Sequence, residues 1–160
     1  MEMQKPAAPS TVKSIGLDLG TTTGWACAEP WAWGTANFQP RRFEGGGMRF
    51  LRFQHWLKEL IALHNPTVVF FEEVRRHRGT DAAHVYGGFL GMLTSTCEEY
   101  MLPHQGIPVG TIKRFATGKG NANKKQMITK AQDRWTGAVA NDNEADALWC
   151  LACGLEGGLS

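Results

Sequence analysis

Two runs of strand-forming residues each end in a carboxylate, and this limits the folds open to the 160-residue chain more than any other feature. Val12-Lys13-Ser14-Ile15-Gly16-Leu17 runs into Asp18, ahead of a turn made of Gly20-Thr21-Thr22-Thr23-Gly24. Thr67-Val68-Val69-Phe70-Phe71 runs into Glu72. A third acidic group, Asp142-Asn143-Glu144-Ala145-Asp146, opens the last apolar helix. Ionised carboxylates beside a core are costly unless something positive compensates them. Hard divalent cations bound through oxygen do so. The pattern points to a metal-dependent phosphoryl-transfer site.

The order of elements reads β-β-β-α-β-α-β-α-α. Strands are expected at 12–18, Gly24 to Ala28 and Trp33 to Gln39, and their short connections imply antiparallel neighbours. After Gly45-Gly46-Gly47, residues Phe50, Phe53, Leu57, Leu60 and Ile61 recur at three and four, a helical stripe that Asn65-Pro66 stops. Residues 67–72 suit a buried strand, and a second helix is expected from Asp81 to Met101. In that helix Ala83, Gly87 and Gly91 form a small-residue stripe open to intrachain packing or to a dimer seam. A short strand at Ile107 to Val109, a short helix at Thr111 to Ala116, a flexible Gly118–Asn123 loop, a basic helix over Lys124 to Arg134 and a final helix over Asp142 to Leu155 complete the chain. Three meandering strands followed by alternating α and β give an α/β domain with a mixed sheet. Asp18 and Glu72 then lie side by side if the first and fourth strands are central neighbours. Alternation puts Val68, Phe70 and Glu72 on one face, and Phe71 and Glu73 on the other.

Length and composition fit one domain over residues 11–160, preceded by a loose, polar, flexible tail over 1–10 that lacks a signal-peptide apolar run. No apolar run approaches the roughly 18 residues needed to span a bilayer, so no membrane partner is expected. Cys27, Cys97, Cys150 and Cys153 make no disulfide framework, and the last two form half a zinc site without a second pair. Buried free thiols suit a reducing, cytoplasmic setting.

The net charge of +2 says little, but its distribution says more. Between Thr111 and Arg134 stand Lys113, Arg114, Lys119, Lys124, Lys125, Lys130 and Arg134 against Asp133 alone. Arg75-Arg76-His77-Arg78 follows Glu72, and Arg41, Arg42, Arg49 and Arg52 form a third cluster. Any one such cluster suits a solvated face. Two of them flank acidic strand ends, where a polyanionic substrate needs cations.

Magnesium takes octahedral oxygen coordination with one or two carboxylates per ion. Two ions roughly 4 Å apart serve an in-line displacement. Asp146 follows Asp142 by one helical turn, so both can face one point, whereas Glu144 lies about 200° from Asp146. Asp142 also suits an N-cap. Gly118-Lys119-Gly120 is not a P-loop, since G-x-x-x-x-G-K-[ST] is absent. His77, His84 and His104 lack metal-ligand spacing, and most of the six tryptophans suit core packing, Trp31 and Trp33 least.

Taken in order, Ile15-Gly16-Leu17-Asp18-Leu19-Gly20 with Gly24-Trp25-Ala26, Phe71-Glu72-Glu73-Val74, Thr117-Gly118-Lys119-Gly120 with Ala122 and Lys124, and Ala145-Asp146-Ala147-Leu148 resemble the RuvC-type Holliday junction resolvases. His84-Val85-Tyr86-Gly87-Gly88 and Asp142-Asn143-Glu144-Ala145-Asp146 resemble the short phage-encoded form, which would act in a host cytoplasm. The resemblance implies a ribonuclease-H-like fold with a mixed five-stranded sheet flanked by helices, and a homodimer. It also implies magnesium- or manganese-dependent cutting of four-way DNA junctions by paired symmetric nicks that leave 5′-phosphate and 3′-hydroxyl ends. By position, Asp18, Glu72 and Asp146 become catalytic metal ligands, with Asp142 or Asn143 as the fourth, around two Mg²⁺ ions. Lys113 and Lys124 match basic residues near the scissile phosphate, Lys124 with a catalytic role. Arg75, Arg76, Arg78, Lys119 and Lys125 join Lys113 and Lys124 as DNA-binding residues. The chain departs from the family at Asn143, where an acid or histidine is usual, and at Arg75, where some members carry an aromatic.

Three rivals share parts of this pattern. Leu17-Asp18-Leu19-Gly20-Thr21-Thr22-Thr23-Gly24 also resembles the first phosphate loop of sugar kinases, actins and Hsp70-type ATPases, which need two such domains. A nuclease acting on forks, flaps or RNA–DNA hybrids keeps the fold and changes the substrate. A non-catalytic DNA-structure binder with a decayed site would be consistent with Asn143 but not with three retained acids.

Overall fold

The strand-forming runs assemble into one sheet in which the acid-tipped strands are central. The computed structural model describes residues 12–136 and 138–157, so the expected tail over residues 1–10 lies outside the described residues. Strands β1 (Ser14–Asp18), β2 (Thr22–Cys27), β3 (Ala32–Asn37), β4 (Val68–Glu73) and β5 (His104–Pro108) take the spatial order β3-β2-β1-β4-β5. The β1–β2 and β2–β3 pairs are antiparallel, while β1–β4 and β4–β5 are parallel. Parallel neighbours need long crossovers. Helices α1 (Gly47–His64) and α2 (Thr80–Glu99) supply them.

Side-chain alternation sorts the core into two layers. Ile15, Leu17, Val69 and Phe71 point to one face, where Phe53, Leu57, Leu60 and Ile61 of α1 meet Phe89, Leu93 and Cys97 of α2. Ala26 and Phe70 point to the other face, covered by helices α3 (Val109–Thr117), α4 (Lys124–Arg134) and α5 (Asp142–Glu156). Val68 and Phe70 therefore share the α5 face with Glu72, as the alternation predicts. Trp31 and Trp33 pack against this layer, Trp31 at 5.5 Å from the Trp135 ring.

Helix α5 lies almost directly on the sheet because two glycines let it. A Cβ on Gly16 of β1 would stand 2.7 Å from the Ala147 carbonyl oxygen, and one on Gly24 of β2 only 1.9 Å from that of Asn143. Any larger residue at either position would lift the N-terminal half of α5, and Asp146 with it.

Several expected boundaries move. β5 begins at His104, not Ile107, and Val109 already belongs to α3. Residues 104–106 have little strand-forming character and owe their conformation to pairing with Val69, Phe70 and Phe71. Thr22 and Thr23, read as turn, pair with Asn37 and Ala36. The α5 cap is Asn141, whose side chain accepts the Glu144 N–H at 2.9 Å, which frees Asp142 of that role. The segment from Gly118 to Asn123 carries caps at both ends: Gly118 closes α3 in a left-handed conformation and Asn123 opens α4 with a capping box. In α2, α1 packs onto Gly88 through Phe50, while among the described residues nothing outside α2 itself lies within 4 Å of a Cβ built on Gly87 or Gly91. The stripe over Ala83, Gly87 and Gly91 is thus not the surface that α1 uses.

Candidate active site

The β1–β4 register pairs Leu17 with Phe71, so the next residues, Asp18 and Glu72, emerge together at the carboxyl edge of the two central strands. Both face α5, which brings Asp146 down from its second turn. One oxygen from each of Asp18, Glu72 and Asp146 lies within 4.8 Å of the others, and all three residues are half-buried. Three separate elements thus converge, as the sequence reading required.

Their electrostatics are unfavourable without a cation. Burial, then the charges of Glu72 and Asp146, push the Asp18 carboxyl well above the usual carboxylate range. Burial also raises Glu72, against the opposing effects of its hydrogen bond with Asp18 and the charge of Lys113. Asp146 is pushed up from 3.8 to about 7 by burial and by Glu72 and Asp142, with Lys113 and Lys124 pulling the other way. Among the described residues no Lys, Arg or His forms an ion pair with any of the three. An all-oxygen donor set at the strand edge, short of positive charge, fits a hard divalent cation.

The remaining sequence candidates fall into separate places. Asp142 lies outside the close triad; its carboxylate sits 3.3 Å from Lys124 Nζ while its charge still raises Asp18 and Asp146. Asn143 sets its backbone carbonyl against Gly24. Lys113 acts electrostatically on Glu72 and Asp146. Lys119 and Lys125 line a cavity of about 330 Å³ with Thr117, Gln126, Thr129 and Lys130. Arg75 pairs with Glu73 at 3.4 Å, and Arg76 and Arg78 are exposed in the segment joining β4 to α2. In the third basic cluster Arg52 forks onto Glu44, while Arg41 and Arg42 stay exposed.

Two residues not singled out for this purpose position the site. The Tyr86 hydroxyl of α2 donates to the Glu72 carbonyl at 2.9 Å and accepts the Val74 N–H at 3.1 Å, bracing β4 where its pairing with β1 has ended. Gly24 admits the start of α5. Nothing local in the sequence marks Tyr86 for this work, since its partners lie 12 and 14 residues away. The tight Gly24–Asn143 approach spans most of the chain.

No protein-family model matches the chain. A crossover junction endodeoxyribonuclease RuvC from Halorhodospira halophila is 34% identical over 114 residues, which make up 70% of this chain and 68% of that protein. Among solved structures, Thermus thermophilus RuvC in complex with a Holliday junction substrate matches with a TM-score of 0.77 at 20% identity, covering 91% of this chain and 94% of that one. The yeast mitochondrial Holliday junction resolvase matches with a TM-score of 0.61 at 15% identity, over 88% of this chain and 76% of its own. Structural likeness at such identities speaks for the ribonuclease-H-like fold alone; the Halorhodospira relative carries the assignment further. With a third of the aligned residues shared across two thirds of that relative, this chain belongs to the RuvC family of crossover junction endodeoxyribonucleases.

Proposed function

We propose that the chain is a metal-dependent, structure-selective endonuclease that resolves four-way DNA junctions by paired symmetric nicks, leaving 5′-phosphate and 3′-hydroxyl ends. The observation that carries this reading is the convergence of Asp18, Glu72 and Asp146 within 4.8 Å at the edge of the sheet. The names of its relatives, one solved in complex with a Holliday junction substrate, support the choice of substrate.

In this reading Asp18, Glu72 and Asp146 hold two Mg²⁺ ions, for which Mn²⁺ substitutes, with Asp142 or the Asn143 amide as a further ligand. When bound, the metal supplies an activated water and neutralises charge on the leaving oxygen of the scissile phosphate. The carboxylates orient that centre from three rigid elements, so little reorganisation accompanies the reaction. Lys113 and Lys124 flank the triad and offset the phosphate charge, with the Lys124 ammonium tethered to Asp142. Arg75, Arg76 and Arg78 on one side, and Lys119 and Lys125 on the other, grip the sugar–phosphate backbone. Such contacts give affinity that falls steeply with salt and carries no sequence information.

Two symmetric nicks call for two sites, hence a homodimer. Gly87 and Gly91, uncovered by other side chains among the described residues, border a groove of about 560 Å³ also lined by Phe71, Leu90 and Gly106, and this surface suits a second copy. No helix among the described residues is long and apolar enough to cross a membrane.

The test is a divalent-metal titration of cleavage on a four-way junction, a Y-fork, an RNA–DNA hybrid and linear duplex. Selective junction cutting is expected. Asp18→Asn and Glu72→Gln abolish it while leaving junction binding intact, because the backbone-gripping cations survive. Equal cutting of all four substrates, or cutting that persists in chelator, would overturn the reading.

A further inference from the structure

Three large apolar side chains among the described residues are more than half exposed: Phe43 at 93%, Leu63 at 78% and Met101 at 90%. Leu63 sits in the last turn of α1 and Met101 in the turn before β5, both at the end of the sheet where β4 and β5 begin. Phe43 lies on the connection from β3 to α1, which starts from the opposite end. The segment that carries it leaves β3 after Asn37, whose partner is Thr22, and the Phe38 N–H donates to the Thr21 carbonyl at 2.7 Å. Thr21 lies three residues beyond Asp18, so this segment starts from the catalytic edge.

A lone exposed phenylalanine is ordinary on a protein surface. This one is displayed by a braced turn. The Glu44 N–H donates to the Arg41 carbonyl at 3.0 Å, making Arg42 and Phe43 the corner residues. The Glu44 carboxylate accepts the Arg41 N–H at 2.8 Å and holds Arg52 of α1 through both of its oxygens. On the other side Phe38 is buried against Phe53, Trp56 and Phe89. The guanidinium of Arg42 stands 5.3 Å from the Phe43 ring centroid. An aromatic ring held out on an ordered turn, directly after Arg41 and Arg42 and on a segment that starts from the edge carrying the carboxylates, has the chemistry of a base-stacking platform with phosphate-binding neighbours.

We propose that Phe43 stacks on a base exposed where the arms of branched DNA meet, and that it gives the enzyme part of its preference for branched over linear DNA. The proposal rests on the junction-nuclease reading and extends it by naming the contact that senses the branch. Fully paired duplex hides its base faces inside the helix, so the ring has nothing to stack on there. Arg41 and Arg42 add attraction to phosphates on any DNA. Phe43 adds discrimination, since a base face becomes available only at an opened or terminal step.

The experiment compares the full-length protein with Phe43→Ala, Phe43→Leu and Phe43→Trp on a four-way junction and on linear duplex, in Ca²⁺ for binding and Mg²⁺ for single-turnover cleavage. Junctions carrying 2-aminopurine at each branch-point position report stacking directly. Removal of a base–aromatic stack predicts about tenfold weaker junction binding for the alanine variant, with duplex binding changed less than twofold. Phe43→Trp restores binding and fluorescence quenching, whereas Phe43→Leu, apolar but without a π face, does not. Equal losses on junction and duplex, full rescue by leucine, or an alanine variant that quenches and cuts like the wild type would each overturn the proposal. Wild-type protein that cuts no branched DNA would sink the nuclease reading itself, a result distinct from a competent wild type with an indifferent Phe43→Ala.

Discussion

Replacing Asp146 with asparagine should stabilise the metal-free protein while removing its activity. The carboxyl is raised from 3.8 to about 7 by burial and by its acidic neighbours. At ~1.4 kcal/mol per pH unit, holding it ionised at neutral pH costs at most about 4 kcal/mol of folding free energy. Relaxation, water entry and the shared titration of Asp18 and Glu72 reduce that ceiling, leaving an expected gain of ~1–3 kcal/mol for Asp146→Asn. For a chain of this size the gain corresponds to about 3–10 °C in Tm. The sign with pH follows from the direction of the shift. Between pH 4 and 7 the native state binds more protons at this site than the unfolded chain does, so its contribution to stability falls as pH rises and levels off above about 7. The gap between variant and wild type should therefore be widest near pH 7.5 and shrink to roughly less than half at pH 5. Thermal unfolding in chelator at both pH values measures it. Added Mg²⁺ should raise the wild-type Tm and close the gap, by preferential binding to the folded state. A variant no more stable than the wild type at pH 7.5 in chelator, or a gap independent of pH, would refute the claim that burial and neighbouring acids make the ionised Asp146 costly in the folded protein.

Two further changes test how the scaffold aims the site. Gly24→Ala places a methyl group against the Asn143 carbonyl; the start of α5 must retreat, at an expected cost of ~1–3 kcal/mol read from the urea midpoint. Cleavage should fall further than that destabilisation predicts, because Asp146 moves with the helix. Tyr86→Phe keeps the ring but removes the bridge between the Glu72 carbonyl and the Val74 N–H. The single-turnover rate should drop severalfold and the Mg²⁺ midpoint rise, with junction affinity unchanged and stability lowered by ~1–2 kcal/mol; an unaltered Mg²⁺ midpoint would remove Tyr86 from the positioning of Glu72.

What the sequence reveals about the site is what local periodicity encodes. The run Val68-Val69-Phe70-Phe71-Glu72 declares a strand, and its two-residue alternation assigns Phe70 and Glu72 to one face, where α5 does lie. The helical turn that separates Asp142 from Asp146 is equally local. β5 is different: His104, Gln105 and Gly106 carry no strand signal and become a strand only because Val69, Phe70 and Phe71 offer them a ladder. The cap of α5 hides for another reason, since Asn141 and Asp142 are adjacent and both suited to the task, and only backbone geometry chooses between them. That choice matters chemically. With Asn141 satisfying the helix end, the Asp142 carboxylate is left to engage Lys124, and the ammonium is drawn to the border of the triad. The roles of Gly24 and Tyr86 are not legible in the sequence because each acts through a partner that the fold alone brings near. The sequence thus specifies which groups are expensive to bury, and the fold specifies what compensates them. Three carboxylates collected at the carboxyl edge of the central strands, with no lysine or arginine among the described residues paired to any of them, make a site whose charge a bound cation would balance.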